Sequence, residues 1–363
     1  MLQNNSKDNK LEIQDLGRIP ISKISDWEKM FEKYEQNGLQ AIAEGKLALV
    51  LLAGGQGTRL GFDGPKGALN VGITHELYVF ELLIRNTMKV VEKAGCFIPF
   101  YIMTSESNDA ETRDFFEKHN YFGYDSKFIR FFIQESNPVT DLDGEPLYQA
   151  PGEILTSPNG NGGWYSSLYN SDVLKDGLFD GVEWINVFSV DNVLQGIADP
   201  VFLGATIESG YACGSKVIRK AYPEERVGAI CSLRGRPYII EYYELDDLKS
   251  EHTELDDAMF NYGVTLNYLF RVSELGKTLS VDMPIHKVKK NVKRYYKDGR
   301  YEESSELNAY KYETLALDLI HMMDSCLAFE IEREKEFAPI KNKEGKDSLD
   351  TARELLKMNG WEL

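Results

Sequence analysis

The stretch LALVLLAGGQGTRLGFDGPKGALNVG, Leu47 to Gly72, decides how the rest of the chain is read. Its first seven residues, Leu47 to Ala53, form an unbroken apolar run, the pattern of a short strand covered on both faces in a parallel sheet. Gly54, Gly55 and Gly57 follow at the carboxyl end, where open α/β sheets bind ligands in the crevice beyond the strands. Glycines there let backbone N–H groups come close to an anion and form a nest for it. Arg59 and Lys66 add two positive charges to the same loop. A dinucleotide fold asks for G-x-G-x-x-G, but counted from Gly55 the sixth position is Leu60. A Walker loop asks for Gly-Lys-Ser/Thr, and Lys66 stands between Pro65 and Gly67. A tight glycine-rich turn without a ligand is one remaining reading. The other is a nucleotidyltransferase loop, because phosphoryl-type transfer needs two anions brought into line and their charge neutralised by cations and a metal.

Outward from this loop the pattern alternates. Apolar spacing predicts a helix or helix pair over Ser25 to Glu44, and helices over Glu76 to Ala94 and Asp109 to His119. Strands are predicted at Phe97 to Met103, Phe128 to Gln134 and Trp184 to Val190. Such alternation gives right-handed βαβ units and a mostly parallel sheet. Short strands at Lys216–Arg219, Val227–Leu233 and Pro237–Tyr243, broken by Gly228, Gly235 and Pro237, suggest an antiparallel extension. Thr314 to Glu334 reads as one long amphipathic helix, and Thr351 to Met358 as a last one. The expected division is an N-terminal arm and helices over 1–45, a catalytic domain over 46–310 and C-terminal helices over 311–363.

Composition narrows the function. With 42% hydrophobic residues, 363 residues can bury the core of one large α/β domain with additions, or of two domains. The 41 basic residues are outnumbered by 58 acidic ones, a net charge of −17, so no general grip on nucleic acid or an anionic membrane is expected, and any polyanion needs a local basic pocket. The polar start MLQNNSKDNKLEIQDLG lacks the apolar core of a secretory signal, and the longest apolar run, Leu47 to Ala53, is too short to span a bilayer. Cys96, Cys213, Cys231 and Cys326 have no metal-ligand spacing and read as reduced thiols of a cytoplasmic protein. Five scattered histidines form no H-E-x-x-H, and no G-x-S-x-G is present, so a hydrolase is not expected.

Several polar residues are ambiguous when read alone. Asp191, at the end of a strongly apolar strand, is either a turn residue or a carboxylate placed for magnesium, which favours one or two carboxylates plus phosphate oxygens. Asn161, Gly162 and Gly163 are either a turn or a platform for a flat base, and Gln134 is either a strand-end polar residue or a hydrogen-bonding edge. Lys216 and Lys311 read as solvated lysines.

The segment from Leu51 to Gly72 resembles the signature of the UDP-N-acetylglucosamine pyrophosphorylase branch of the UDP-sugar pyrophosphorylases. Similar blocks follow in the same order: PNGNGGWYSSL (Pro158–Leu168), VFSVDNVL (Val187–Leu194), the run Ala198 to Gly228, IIEYYEL (Ile239–Leu245), FNYG (Phe260–Gly263) and FEIEREKEFAPIKN (Phe329–Asn342). The resemblance covers roughly residues 25 to 358. It implies a Rossmann-like, mostly parallel nucleotidyltransferase sheet and the reaction of UTP with a hexose 1-phosphate to give a UDP-sugar and pyrophosphate, with Mg2+ as cofactor. By the same likeness Arg59, Lys66 and Lys311 are catalytic, and Asp191 holds the metal. Leu52, Ala53, Gly54, Gly55, Gly57, Thr58, Gln134, Asn161 and Gly162 bind the nucleotide, while Asn192, Gly228, Glu241, Asn261 and Gly263 contact the sugar. N-acetylglucosamine 1-phosphate is the favoured sugar, with glucose or galactose 1-phosphate as alternatives; a non-catalytic UDP-sugar-binding protein is the rival from another class. The longer relatives' C-terminal β-rich extension is not expected here, which points to a monomer or weak oligomer. Tyr262 replaces a small residue of the family's F-N-A-G-N block, and Val264 its second Asn, so Tyr262 is expected to bear on sugar choice.

Overall fold

The computed structural model describes residues 13–252, 257–303 and 305–363. A short strand, β1 (Ile21–Ser22), and helix α1 (Phe31–Ala43) precede β2 (Leu47–Leu52). The alternation continues through α2 (Val79–Ala94), β3 (Phe100–Thr104), α3 (Asp109–Lys118) and β4 (Ile129–Ile133). After α4 (Trp164–Asn170) come β5 (Trp184–Ser189), α5 (Pro200–Ser209) and β6 (Cys213–Arg219). The hairpin β7 (Ala229–Leu233) and β8 (Arg236–Ile240) leads through α6 (Tyr242–Glu251) to β9 (Tyr262–Arg271). A separate ribbon pairs β10 (His286–Lys290) with β11 (Ala309–Glu313), and α7 (Ala316–His321), β12 (Cys326–Glu330) and α8 (Leu349–Met358) follow.

The main sheet runs β1-β12-β6-β9-β5-β2-β3-β4. Only β9 is antiparallel to its neighbours along this path, and β7 and β8 branch from it as the antiparallel extension. Every residue of β2 is buried, because helices cover both faces of a parallel sheet and leave no wet side. Burial of each Leu or Val there stabilises by about 1.5–3 kcal/mol.

Helix packing on the sheet depends on small residues. A Cβ on Gly38 of α1 would lie 1.9 Å from the Pro200 carbonyl oxygen, and one on Gly204 of α5 would lie 1.9 Å from that of Tyr34, so the two helices touch backbone to backbone. Asp199 starts α5: its Oδ1 accepts from Val201 N at 2.9 Å and Phe202 N at 3.3 Å, and Pro200 occupies the first turn.

Two expectations change, and one is settled between its alternatives. Thr314 to Glu334 is not one helix: α7 ends at His321 and β12 enters the sheet between β6 and β1, so segment 311–363 supplies strands as well as helices. A buried parallel strand and a buried helix carry similar apolar runs, which is why spacing misled. Of the two forms open to the run Ser25 to Glu44 the chain takes the pair: a short helix, Ile24–Trp27, then a 3-10 turn, Glu28–Met30, then α1, with Met30 and Phe31 exposed. Lys216 is buried, not solvated, with Nζ 2.7 Å from Asp199 Oδ2 and 2.6 Å from Glu336 Oε2. Burial alone would lower its pKa, but the two carboxylates outweigh that and raise it.

Candidate active site

β2 and β5 are parallel neighbours in register Leu52 to Ser189, so the glycine-rich loop and Asp191 leave the same sheet edge side by side. Leu52 and Ala53 are core residues, held by Ala53 N donating to Met103 O at 2.9 Å. The loop then folds on itself: Gly57 N donates to Gly64 O at 2.9 Å and Lys66 N to Gly55 O at 3.2 Å. This return brings Lys66 Nζ to 2.5 Å from Asp191 Oδ1. Gly57 is a packing glycine, since a Cβ there would lie 2.6 Å from the Phe62 ring. Gly55, Thr58 and Arg59 are exposed and line a cleft of about 1210 Å³ with Lys66 and Asp191.

That cleft mixes both signs of charge, with Asp191, Glu224, Glu225, Glu334 and Asp347 on its wall beside six cations. Arg59, Lys66, Arg226, Arg333, Lys341 and Lys346 all line it. Arg333 is bound by Glu225 through both guanidinium amino groups, and Lys346 Nζ lies 3.9 Å from the centre of the Tyr222 ring. Arg226 and Lys341 lie in the family-like blocks quoted above, but no motif rule singled them out.

A smaller cavity of about 200 Å³ adjoins the cleft, lined by Asn161, Ser189, Asn192, Gly228, Glu241 and Thr265 among others. Glu241 opens α6, and its backbone N donates to Glu244 Oε2 at 3.0 Å. Burial, then the nearby Glu244 carboxylate, raises the Glu241 pKa, while His286 and Lys341 pull it back. Asn192 is fully used by the fold: its Oδ1 accepts from Ala338 N at 2.9 Å and its Nδ2 donates to Glu336 O at 2.7 Å. Together with Ile340 N donating to Asp191 O at 2.9 Å, these bonds fasten the Asp191 turn to the segment 336–340.

The base-side residues also converge. Gln134 Nε2 donates to Gly160 O, and a Cβ on Gly54 would lie 2.7 Å from Gln134 Oε1. Asn161 Oδ1 accepts from Ala316 N at 2.9 Å, and a Cβ on Gly162 would lie 2.6 Å from the Leu315 backbone. The 160–162 turn is thus pressed against the residues that open α7.

Other expected site residues stand apart. Lys311 lies on the ribbon, opposite Val288, and lines neither cavity. Asn261 accepts from Lys220 N through its backbone oxygen and lines neither cavity, and Gly263 is buried against Val227. Tyr262 also lines neither; burial, then the nearby Glu330 carboxylate on β12, raises the pKa of its hydroxyl.

A mostly parallel α/β sheet with this loop and carboxylate at adjoining strand ends is the nucleotidyltransferase class of fold. Comparison with known proteins makes the assignment specific. Residues 1–359 match the family described as UTP-glucose-1-phosphate uridylyltransferase, and the chain belongs to that family. It is 34% identical to UDP-N-acetylglucosamine pyrophosphorylase of Saccharomyces cerevisiae over 97% of this chain and 76% of the yeast protein. It is 35% identical to the human UDP-N-acetylhexosamine pyrophosphorylase-like protein 1 over 89% of this chain. The chain spans about two thirds of that human protein's length, 66%. The crystal structure of the UDP-N-acetylglucosamine pyrophosphorylase from Trypanosoma brucei, in complex with an inhibitor, superposes with a TM-score of 0.79 at 27% identity, covering 97% of this chain and 71% of that one. Among the described residues, no helix is long and apolar enough to cross a membrane.

Proposed function

We propose that the chain joins UTP to a hexose 1-phosphate, preferentially N-acetylglucosamine 1-phosphate, releasing pyrophosphate. The observation that carries this reading is the 2.5 Å contact between Lys66 and Asp191, at the mouth of a cleft that also presents Arg59. The sugar phosphate oxygen attacks the α-phosphorus in line, and the bond to the bridging oxygen breaks, so pyrophosphate departs with the electron pair. Arg59 and Lys66 stabilise the charge that develops on the triphosphate. The 160–162 turn, Gln134 and Gly54 form the base side, and Glu241 and Gly228 face the sugar. Lys311 contacts phosphate only if the ribbon closes on the cleft, and Asn192 supports the site through its backbone ties.

Magnesium fits this site. Among the described residues there is no group of three or more His, Cys, Asp or Glu side chains that would cage an ion, whereas Asp191 offers one partly exposed carboxylate beside the cleft. One carboxylate completed by phosphate oxygens is the donor set this ion favours. When bound there it neutralises phosphate charge. The sugar assignment rests on the relatives named as N-acetylglucosamine enzymes in yeast and Trypanosoma. We place the reaction in the cytoplasm and the protein as a monomer or weak oligomer. The test is pyrophosphate release from UTP with each of N-acetylglucosamine, glucose and galactose 1-phosphates, with and without chelator. Release with none of the three would refute the proposal, and release insensitive to chelation would refute the metal.

A further inference from the structure

Asp318 is a buried carboxylate, 2% exposed, that lines neither the cleft nor the smaller cavity. A charge this deep is costly unless it is paired, and three segments converge on it. Its Oδ2 accepts from Leu315 N at 3.0 Å and lies 3.0 Å from His286 Nε2 on β10, while its Oδ1 lies 3.6 Å from His321 Nδ1. His286 is also the partner of Glu313 across the ribbon, so β11, residues 314–316 and α7 fold around this one carboxylate. The base-side turn rests on the same residues. Thr314 N donates to Asn159 O at 2.7 Å, Gly162 N to Thr314 O at 2.9 Å and Ala316 N to Asn161 Oδ1 at 2.9 Å. A Cβ on Gly160 would lie 2.2 Å from Thr314 O, so the two backbones are in direct contact. The 159–162 turn therefore has no position of its own and sits where residues 314–316 sit.

The rest of the inference builds on the function proposed above, in which this turn forms the base side of the nucleotide site. We propose that Asp318 is a positioning residue for the nucleotide: it holds residues 314–316, and through them the 159–162 turn, in the arrangement that reads the base. The leverage lies in the bond to Leu315 N, the first residue after Thr314, because a hydrogen bond to an ionised acceptor is about twice as strong as a neutral one. Without it the turn divides its time between the competent arrangement and others, and the apparent affinity for the nucleotide falls by the competent fraction. A displaced turn also presents its hydrogen-bonding edge less exactly, so discrimination between bases falls with affinity. The phosphate-side groups Arg59, Lys66 and Asp191 lie on other loops and keep their places, so the step that follows binding is left as it was.

The test measures pyrophosphate release by the wild type, Asp318→Ala and Asp318→Asn, with UTP and with CTP, whose pyrimidine edge carries an amino group where UTP has a carbonyl. In Asp318→Ala the KM for UTP is expected to rise about tenfold, the scale of a lost hydrogen bond to a charged acceptor. The preference for UTP over CTP in kcat/KM falls by a similar factor, and kcat with UTP stays within about threefold. Asp318→Asn keeps one oxygen for Leu315 N, and its KM and base preference are expected to move only about threefold. Thermal melts check folding, and this isosteric variant carries the test alone if Asp318→Ala does not fold. A merely structural role would lower kcat by reducing the folded fraction and move neither KM nor base preference. Unchanged KM for UTP in a folded variant overturns the inference, as does a raised KM with unchanged base preference, and either leaves the uridylyltransferase reading standing. A wild type that transfers to no hexose 1-phosphate overturns both.

Discussion

Asp318 Oδ2 lies 3.0 Å from His286 Nε2, an ion pair that ties the β10–β11 ribbon, on which Lys311 sits, to the buried face of α7. The hydrogen bond His286 donates to Asp318 raises the His286 pKa above its ordinary 6.5, with the charges of Asp318, Glu244 and Glu241 adding to it against burial. A raised folded-state value means that the pair's stability is fully present below 6.5 and is lost as pH rises through the folded value. His321, on the other side of Asp318, behaves oppositely. Burial lowers its pKa to about 4, so the stability of its neutral ring is present above 6.5 and lost as pH falls towards about 4. We predict that His286→Gln lowers the melting temperature relative to wild type more at about pH 6 than at about pH 9. An equal deficit at both values would show that the ion pair contributes nothing.

Lys66→Ala and Arg59→Ala are each expected to lower turnover about a hundredfold, the effect of removing one preorganised charge from a developing anion. Asp191→Ala is expected to abolish the response to magnesium. Initial rates of pyrophosphate release across a magnesium titration check both, and near-normal turnover in folded Arg59→Ala would remove that residue from the chemistry.

Lys216→Met leaves Asp199 and Glu336 facing an apolar side chain. Removing one partner of a buried ion network costs about 3–5 kcal/mol, measurable by urea unfolding. Asp199 also caps α5, so the loss should appear as well in faster hydrogen exchange of the first turn of that helix. A stability change under about 1 kcal/mol would mean that solvent screens the triad as it does surface pairs.

Tyr262→Ala is expected to leave the ratio of kcat/KM for N-acetylglucosamine and glucose 1-phosphates unchanged, because the ring lines neither cavity. A clear shift towards the acetylated sugar would show that the ring swings into the pocket when substrate binds.

Gly162→Ala would bring a Cβ to 2.6 Å from the Leu315 backbone, which cannot yield as a side-chain tip can. The expected outcome is a raised KM for UTP with a lowered melting temperature, read by steady-state kinetics and a thermal melt. A wild-type KM would separate this turn from the nucleotide.

What could be read from the sequence divides along local and distant lines. The strand Leu47–Leu52, its glycine-rich turn and the alternation up to β5 are set by residues near one another in the chain, and periodicity reports them. Lys216 was misread because its partners, Asp199 and Glu336, are brought to it by folding. β12 was misread because its apolar run suits a helix equally well, and only its place between β6 and β1 decides. Arg226 and Lys341 escaped notice for a related reason. Each lies within a family-like block but far from the other in sequence, and their common position at the junction of two cavities exists only in three dimensions.

The place of β12 has a consequence for how the protein is made. Residues Cys326–Glu330 are the last to join the main sheet, yet they fill a position between β6 and β1. A chain emerging from the ribosome therefore carries β6 with one side unpaired until residue 330 is free, and an unpaired strand side is a template for pairing with another chain. The sheet therefore cannot close strand by strand in chain order: β12 has to enter between two strands made long before it.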